Sequence, residues 1–308
     1  MTAIKSLHSF KLAVEGYIIF LSRRWSMFYV ITIGVIMGLA NLIPGVSGGT
    51  IVLLGGLYER FVGAVASLSE FKFEKKQLLF LVQLFAGVII GLLAFSGLIE
   101  LSLTNVPSLM YGIFCGLVVG SIPVVLKNIK KFTPVSVVSF AVGVVLVLAM
   151  AFSGARPVDD ALLTHSLPAF LYDLLAGFVG AAAMVLPGLS GAFVLLLMGE
   201  YSRAISAIND RDLLIILFIG LGVVGGIVLI SKLLKSLMKK RQNETFSFLL
   251  GLMIGSIPDL LTRTGEATRL SLLIPGVALG VFLSYLLAVF ERKNGKSPSA
   301  VVDSNRQQ

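Results

Sequence analysis

The sequence predicts an all-α integral membrane protein with an inverted-topology repeat, each half a re-entrant helical hairpin followed by three transmembrane helices. Three observations carry that prediction: an extreme apolar composition, a duplicated motif with matching flanks, and an uneven distribution of Lys and Arg among the loops. The chain of 308 residues is 56% hydrophobic and 13% charged, with a mean hydropathy of +0.97. Soluble domains run nearer about 25% charged.

Crossing a hydrocarbon core of ~30 Å takes roughly 20 apolar residues in a helix. Uncharged runs that give the candidate spans are Gln77 to Ile99, Leu101 to Leu126, Phe132 to Ala155, Leu213 to Ser231, Thr245 to Pro258 and Leu270 to Phe290. Two more apolar stretches, Trp25 to Tyr58 and Leu174 to Gly199, are each interrupted by Pro-Gly-x-Ser-Gly. Their arms of about 13 to 17 residues reach ~20 to 25 Å, past the bilayer centre but not comfortably across, which predicts re-entrant hairpins. Backbone at that depth is tolerated only where protein or a water-filled cavity satisfies it, so the breaks are expected to line a site.

The repeat fixes the organisation. Asn41-Leu42-Ile43-Pro44-Gly45-Val46-Ser47-Gly48-Gly49 recurs as Met184-Val185-Leu186-Pro187-Gly188-Leu189-Ser190-Gly191-Ala192. With identical spacing, Gly56, Tyr58 and Arg60 then match Gly199, Tyr201 and Arg203. Further on, Gly116 to Pro123 matches Gly251 to Pro258, the shared core being Gly-Ser-Ile-Pro. The expected units are an N-terminal cytosolic or interfacial segment 1–27, a first repeat 28–155 with its hairpin at 28–67, a second repeat 156–290 with its hairpin at 168–209, and a polar cytosolic tail 291–308.

Loop charges orient the halves. With the N-terminus inside, cytosolic segments hold nineteen Lys and Arg, whereas the outer segments hold four, Arg156, Arg211, Arg263 and Arg269. The positive-inside bias then makes the first hairpin enter from the cytosol and the second from outside, with both termini cytosolic. The same bias accounts for the net charge of +9 without nucleic acid. No cleavable signal follows Arg23-Arg24. Cys115 is the only cysteine, which excludes disulfides and Cys-based metal sites, and no metal or cofactor is expected.

Discontinuous helices in inverted repeats present half-helix N-termini and free backbone N–H groups to an anion near the midplane. Pro44 and Pro187 break the first arms. Gly45, Gly48, Gly49, Gly188 and Gly191 let backbone approach a ligand, and Ser47 and Ser190 offer hydroxyl donors at the start of the second arms. Capping of the helix break is the structural alternative for both serines. Arg60 and Arg203 end the second arms, as snorkelling interfacial residues or as bidentate receivers of a phosphate. Asp259 lies about 20 Å along its helix, a candidate for proton or sodium coupling that Arg263 at i+4 is also placed to neutralise. Asp173, Glu59 and Glu200 are weaker coupling candidates, because none has a carboxylate at the equivalent repeat position.

Gly45-Val46-Ser47-Gly48-Gly49 also fits the serine-hydrolase elbow and the Gly-x-Ser-Gly of intramembrane proteases. A nucleophilic serine needs a base in reach, and the only histidines, His8 and His165, lie outside the apolar spans. Hydrolysis is therefore the alternative, as is transport of another small anion.

The run from Asn41 to Thr50, followed by Tyr58-Glu59-Arg60, resembles the PopT-type polyprenyl-phosphate translocases of bacteria, formerly a domain of unknown function. The second motif copy and the Gly-Ser-Ile-Pro pair extend the resemblance from about residue 28 to 290. It implies a non-enzymatic carrier of undecaprenyl phosphate in the bacterial inner membrane, returning the carrier lipid to the inner leaflet for reuse in envelope and peptidoglycan synthesis. It also implies that Asn41, Thr50 and the motif residues above contact the phosphate. The second copy departs from the first, with Ala192 and Phe193 in place of Gly49 and Thr50.

The orientation is testable by chemistry. Single cysteines near Asn105 and Ala267 should react with an impermeant thiol reagent added outside cells, and cysteines near Asn128 and Gln242 should not. Equal reactivity at all four sites would contradict the inverted arrangement.

Overall fold

The computed structural model describes residues 27–42, 46–68, 74–153, 165–264 and 269–294, and among them every regular element is helical. The first six elements are α1 (Met27–Asn41), α2 (Gly48–Leu54), α3 (Tyr58–Leu68), α4 (Lys75–Asn105), α5 (Pro107–Leu126) and α6 (Pro134–Phe152). The next six are α7 (Leu167–Val185), α8 (Gly191–Leu197), α9 (Tyr201–Asn209), α10 (Leu213–Lys240), α11 (Gln242–Thr262) and α12 (Leu270–Asn294). The two sets correspond one to one in order and type. The N-terminal segment, Pro44, Gly45 and the C-terminal tail lie outside the described residues.

Local chemistry sets the boundaries and corrects several expected ones. Glu100 does not separate two spans: α4 runs on to Asn105, and the next helix starts at Pro107, whose missing N–H costs nothing at a first helical turn. Thr133 and Ser136 form a capping box that opens α6 with Pro134 behind it. Asp212 accepts from Leu214 N and Ile215 N and opens α10. That helix continues past Ser231 through its lysines to Lys240, and α11 continues past Pro258 to Thr262. The charges and the proline end the apolar run but not the helix.

The largest departure is α7. Its 19 residues begin at Leu167, capped by Ser166, so this first arm is longer than the expected 13 to 17 and long enough to cross a membrane. Asp173 marked the edge of the apolar run in the sequence, yet it lies inside the helix with no exposure. Among the described residues, seven helices have the length and composition of spans, α7 included. The second arms are short: α2 and α8 have seven residues each and turn by 119° and 108° into α3 and α9. The turns use Gly56 and Gly199 at φ of 63° and 78°, a left-handed conformation that favours glycine.

The helices pack through small residues. A methyl group on Gly34 would meet Leu84 O at 2.2 Å, and one on Gly91 would meet Val35 O at 2.4 Å, so α1 and α4 touch backbone to backbone. The equivalent pair, α7 and α10, does the same at Gly177, Gly222 and Gly226. The later helices exchange between halves: α5 lies against α12 through Gly112, Gly116 and Gly280, and α11 lies against α6 through Gly143 and Gly251. Lipid tails are as apolar as leucine, so close van der Waals packing of this kind replaces the hydrophobic drive available in water. Outward-facing Leu93, Phe152 and Leu213, 79%, 84% and 75% exposed, present an apolar belt to lipid.

The core lies where α2, α5 and α11 converge. Every residue of α2 is buried, and Ile51, Leu54, Leu249, Leu252 and Met253 are almost fully enclosed.

Two glycines of α10 give a matched test of this packing. A Cβ at Gly222 falls 2.1 Å from Leu174 O, whereas one at Gly220 meets nothing within 4 Å. Gly222→Ala should cost about 1–3 kcal/mol by overpacking. Gly220→Ala should be neutral or stabilise by up to about 1 kcal/mol. Thermal unfolding of the purified proteins in one detergent should rank them in that order.

Candidate functional site

The two helix breaks meet each other. Ser47 Oγ donates to Leu186 O at 2.9 Å, Gly188 N donates to Thr50 Oγ1 at 3.1 Å, and Tyr58 OH donates to Val185 O at 3.3 Å. All three bonds are buried and link the start of α2 and α3 to the second break, more than a hundred residues away in the chain. Gly49 makes the approach possible, since a methyl group there would sit 2.7 Å from Val185 O. Gly188, at φ 84°, lets α11 close over the second break, with Leu252 C and Met253 N each 2.7 Å from the position of an added Cβ. The Gly-Leu-Met-Ile-Gly-Ser-Ile-Pro segment therefore packs directly on the Pro-Gly turn.

Within each break the serine acts first as a cap. Ser47 Oγ accepts from Gly49 N at 3.2 Å and Ser190 Oγ from Phe193 N at 3.4 Å. Asn41 Oδ1 accepts from Gly48 N at 3.1 Å. The other end of that side chain differs, because the buried Asn41 Nδ2 has no hydrogen-bond partner among the described residues. A buried amide donor without an acceptor costs about 1–3 kcal/mol, which makes Asn41 the place in the first break best suited to a ligand oxygen. In the second copy the position is Met184, and Ala192 is exposed where Gly49 is buried, so the two breaks are not chemically equal.

The paired arginines diverge further. Arg60 is exposed and lies over the Phe80 ring with its guanidinium carbon 4.2 Å from the centroid. Arg203 is 4% exposed and closes a bidentate fork on Asp173, Nε to Oδ1 at 2.6 Å and Nη2 to Oδ2 at 2.9 Å. Glu200 Oε2 stands 3.6 Å from Arg203 Nε and is buried. Val30 occupies the place in α1 that Asp173 holds in α7, so the first half lacks this ion pair. Asp173 is thus the partner of a candidate site residue, which its sequence context undervalued; the signal available was its standing as the only charge within the α7 run.

The remaining carboxylates separate by position. Asp259 Oδ2 accepts from Arg263 Nε at 2.9 Å, and that guanidinium rests over Phe193 of α8 at 4.8 Å. Glu59 lines a polar cavity of about 250 Å³ with Tyr58 and Asn128, beside the Gly56 turn. His165 pairs with Asp212 at 2.8 Å at the start of α7 and α10, while Ser47 is committed to Leu186 O. No Ser–His pairing joins the described residues of the motif, and the serines act as caps and bridges.

The chain matches the family described as undecaprenyl phosphate translocase-like over residues 37–272. A polyprenyl-phosphate transporter of Vibrio cholerae serotype O1 is 30% identical over 239 residues, 74% of this chain and 75% of that protein. A polyprenyl-phosphate transporter of Staphylococcus aureus is 31% identical over 237 residues, 73% of this chain and 82% of that protein. No solved structure matches. These matches identify a transporter and not an enzyme, which removes the hydrolase alternative.

The buried ion pair predicts a stability pattern that separates the arginines. Arg203→Ala strands the Asp173 carboxylate and should cost about 3–5 kcal/mol, with the double change Arg203→Ala/Asp173→Ala recovering much of the loss. Arg60→Ala should lower the melting temperature little, since an exposed cation–π contact is worth about 0.5–1 kcal/mol. Unfolding curves of the four proteins in detergent check both statements.

Proposed function

The chain belongs to the undecaprenyl phosphate translocase-like family, and on that premise we propose that it carries a polyprenyl phosphate between the leaflets of the bacterial inner membrane. The lipid is undecaprenyl phosphate, recycled for cell-envelope and peptidoglycan synthesis. A phosphate head is costly to bring through hydrocarbon, whereas its isoprenoid tail can stay in lipid, so the protein needs only to shelter the head. The two halves are inverted repeats, their hairpins are re-entrant, and the head passes where the two breaks meet.

The observation that carries this reading is the unsatisfied Asn41 Nδ2 beside two breaks that satisfy each other through a few exchangeable bonds. A phosphate oxygen accepts from Asn41, and as the breaks part, the Ser47 hydroxyl and the Gly188 N–H turn from Leu186 O and Thr50 to the head. Arg60 supplies the guanidinium at one face. Arg203, closed on Asp173, joins only once that fork opens.

Coupling belongs to the same cluster. Asp173 and Glu200 share one guanidinium, which leaves a formal charge of −1 in a buried place, with Asp212 a further carboxylate near Arg203. Uptake of a cation at Glu200, a proton or sodium, neutralises that charge and removes one carboxylate that would repel a phosphate approaching Arg203. Asp259 and Glu59 are the secondary candidates.

The direct test places a polyprenyl phosphate in the outer leaflet of liposomes and follows its loss of access to an impermeant phosphatase. Purified protein should accelerate that loss, and empty liposomes should not. Asn41→Asp keeps the acceptor for Gly48 N but replaces the free donor by a negative charge, and should cut lipid flux about tenfold or more at unchanged stability, equivalent to ~1.4 kcal/mol. Wild-type flux in that variant would remove Asn41 from the site. Glu200→Gln should abolish stimulation by an imposed proton or sodium gradient while leaving gradient-free exchange; retained stimulation would move coupling elsewhere.

A further inference from the structure

Two apolar cavities flank the breaks, one beside α1 and one beside α7, and three lining residues of each are equivalent. The first, about 560 Å³, lies between α1, α5 and α12 and includes Tyr29, Ile36 and Leu39. The second, about 540 Å³, lies between α6, α7 and α8 and includes Tyr172, Val179 and Ala182. Aligned on the duplicated motif, Tyr29 matches Tyr172, Ile36 matches Val179, and Leu39 matches Ala182. The far walls correspond as well, α12 serving the first cavity and α6 the second.

Each cavity carries the same latch. Tyr29 OH donates to Gly55 O at 2.8 Å, and Tyr172 OH donates to Met198 O at 2.9 Å, Gly55 and Met198 being equivalent residues at the ends of α2 and α8. The third wall differs, α5 in the first and α8 in the second, but an accidental packing gap would not be expected twice with two matching helices and a matching tether. The polar surface in both is slight, so neither suits a phosphate head or ordered water, which needs polar partners.

We infer that these cavities are paired seats for the head-proximal isoprene units of the carried lipid, one for each approach of the head to the breaks. The inference rests on the polyprenyl-phosphate reading above. Continuity with the breaks selects this occupant: the second cavity includes Leu186 and Leu189, which bracket Pro187-Gly188, and the first reaches Leu39, two residues before Asn41. A head engaged at the docked breaks has its first tail units within reach of either opening. Volumes near 550 Å³ hold a few units, and the rest of the tail stays in lipid.

The test uses a polyprenyl phosphate with a diazirine on its first isoprene unit, photolysed in proteoliposomes and mapped by mass spectrometry. Adducts are expected on α1 and α12 around Ile36 and on α6 and α7 around Val179. Excess undecaprenyl phosphate should erase them, and an equal excess of phosphatidylglycerol should not. Ile36→Trp and Ala182→Trp should each reduce labelling of their own cavity about tenfold, the equivalent of ~1.4 kcal/mol, and leave the other cavity labelled. Competed adducts spread over the outer belt around Leu93 and Leu213 would overturn the tail seats while keeping the substrate. Equal competition by phosphatidylglycerol would make the cavities general acyl-chain sites and likewise overturn the inference. Absence of any adduct that undecaprenyl phosphate competes away would instead fail the substrate reading itself. The wild-type map decides the matter even where a tryptophan variant does not fold.

Discussion

Backbone that leaves helical geometry inside a membrane protein must find its hydrogen bonds within the protein, because hydrocarbon offers none. In this chain the requirement is met reciprocally. The first break gives its Ser47 hydroxyl to Leu186 O and receives the Gly188 N–H on Thr50, and Tyr58 adds a bond to Val185 O. Each hairpin is the other's solvent. Much of the architecture follows from that dependence: Gly49 must be small, Gly188 must adopt a positive φ, and α11 must press its Leu252 and Met253 backbone against the turn. The fully buried α2 is the element on which these contacts converge.

Holding two hairpins in register requires a rigid frame, and the frame is built by exchange. The first long helix of each half packs on its own hairpin arm, α4 on α1 and α10 on α7, while the later helices pair across halves, α5 with α12 and α6 with α11. Glycines at each crossing bring backbones into contact, so displacement of one helix is transmitted to its partner with little slack. Neither half folds around its own centre; the breaks are clamped from both sides by helices that belong to each.

Duplication in sequence did not produce duplication in chemistry. The first half keeps an Asn41 Nδ2 without a partner among the described residues and an exposed Arg60 on Phe80. The second half replaces Asn41 by Met184 and buries Arg203 against Asp173 and Glu200. A transporter needs such a difference if its two faces are to do different work, because a perfectly symmetric pair of sites has no internal reason to prefer one side. The apolar cavities, by contrast, keep equivalent tyrosine latches at Tyr29 and Tyr172.

Much of this was legible in the residues. Apolar runs gave six of the seven span-like helices, and the repeated Pro-Gly-x-Ser-Gly gave both breaks, because span length and helix breaking are local properties of the chain. The serine caps and the Asp259–Arg263 pair are local too, set within four residues. What tertiary structure alone decided is long-range: that Ser47 and Thr50 reach the other break, that Asp173 belongs inside α7 because Arg203 thirty residues on neutralises it, and that Asn41 has a donor without a partner among the described residues. A charge in a sequence reads as the end of an apolar helix, and only its partner in space reveals that the helix runs through it.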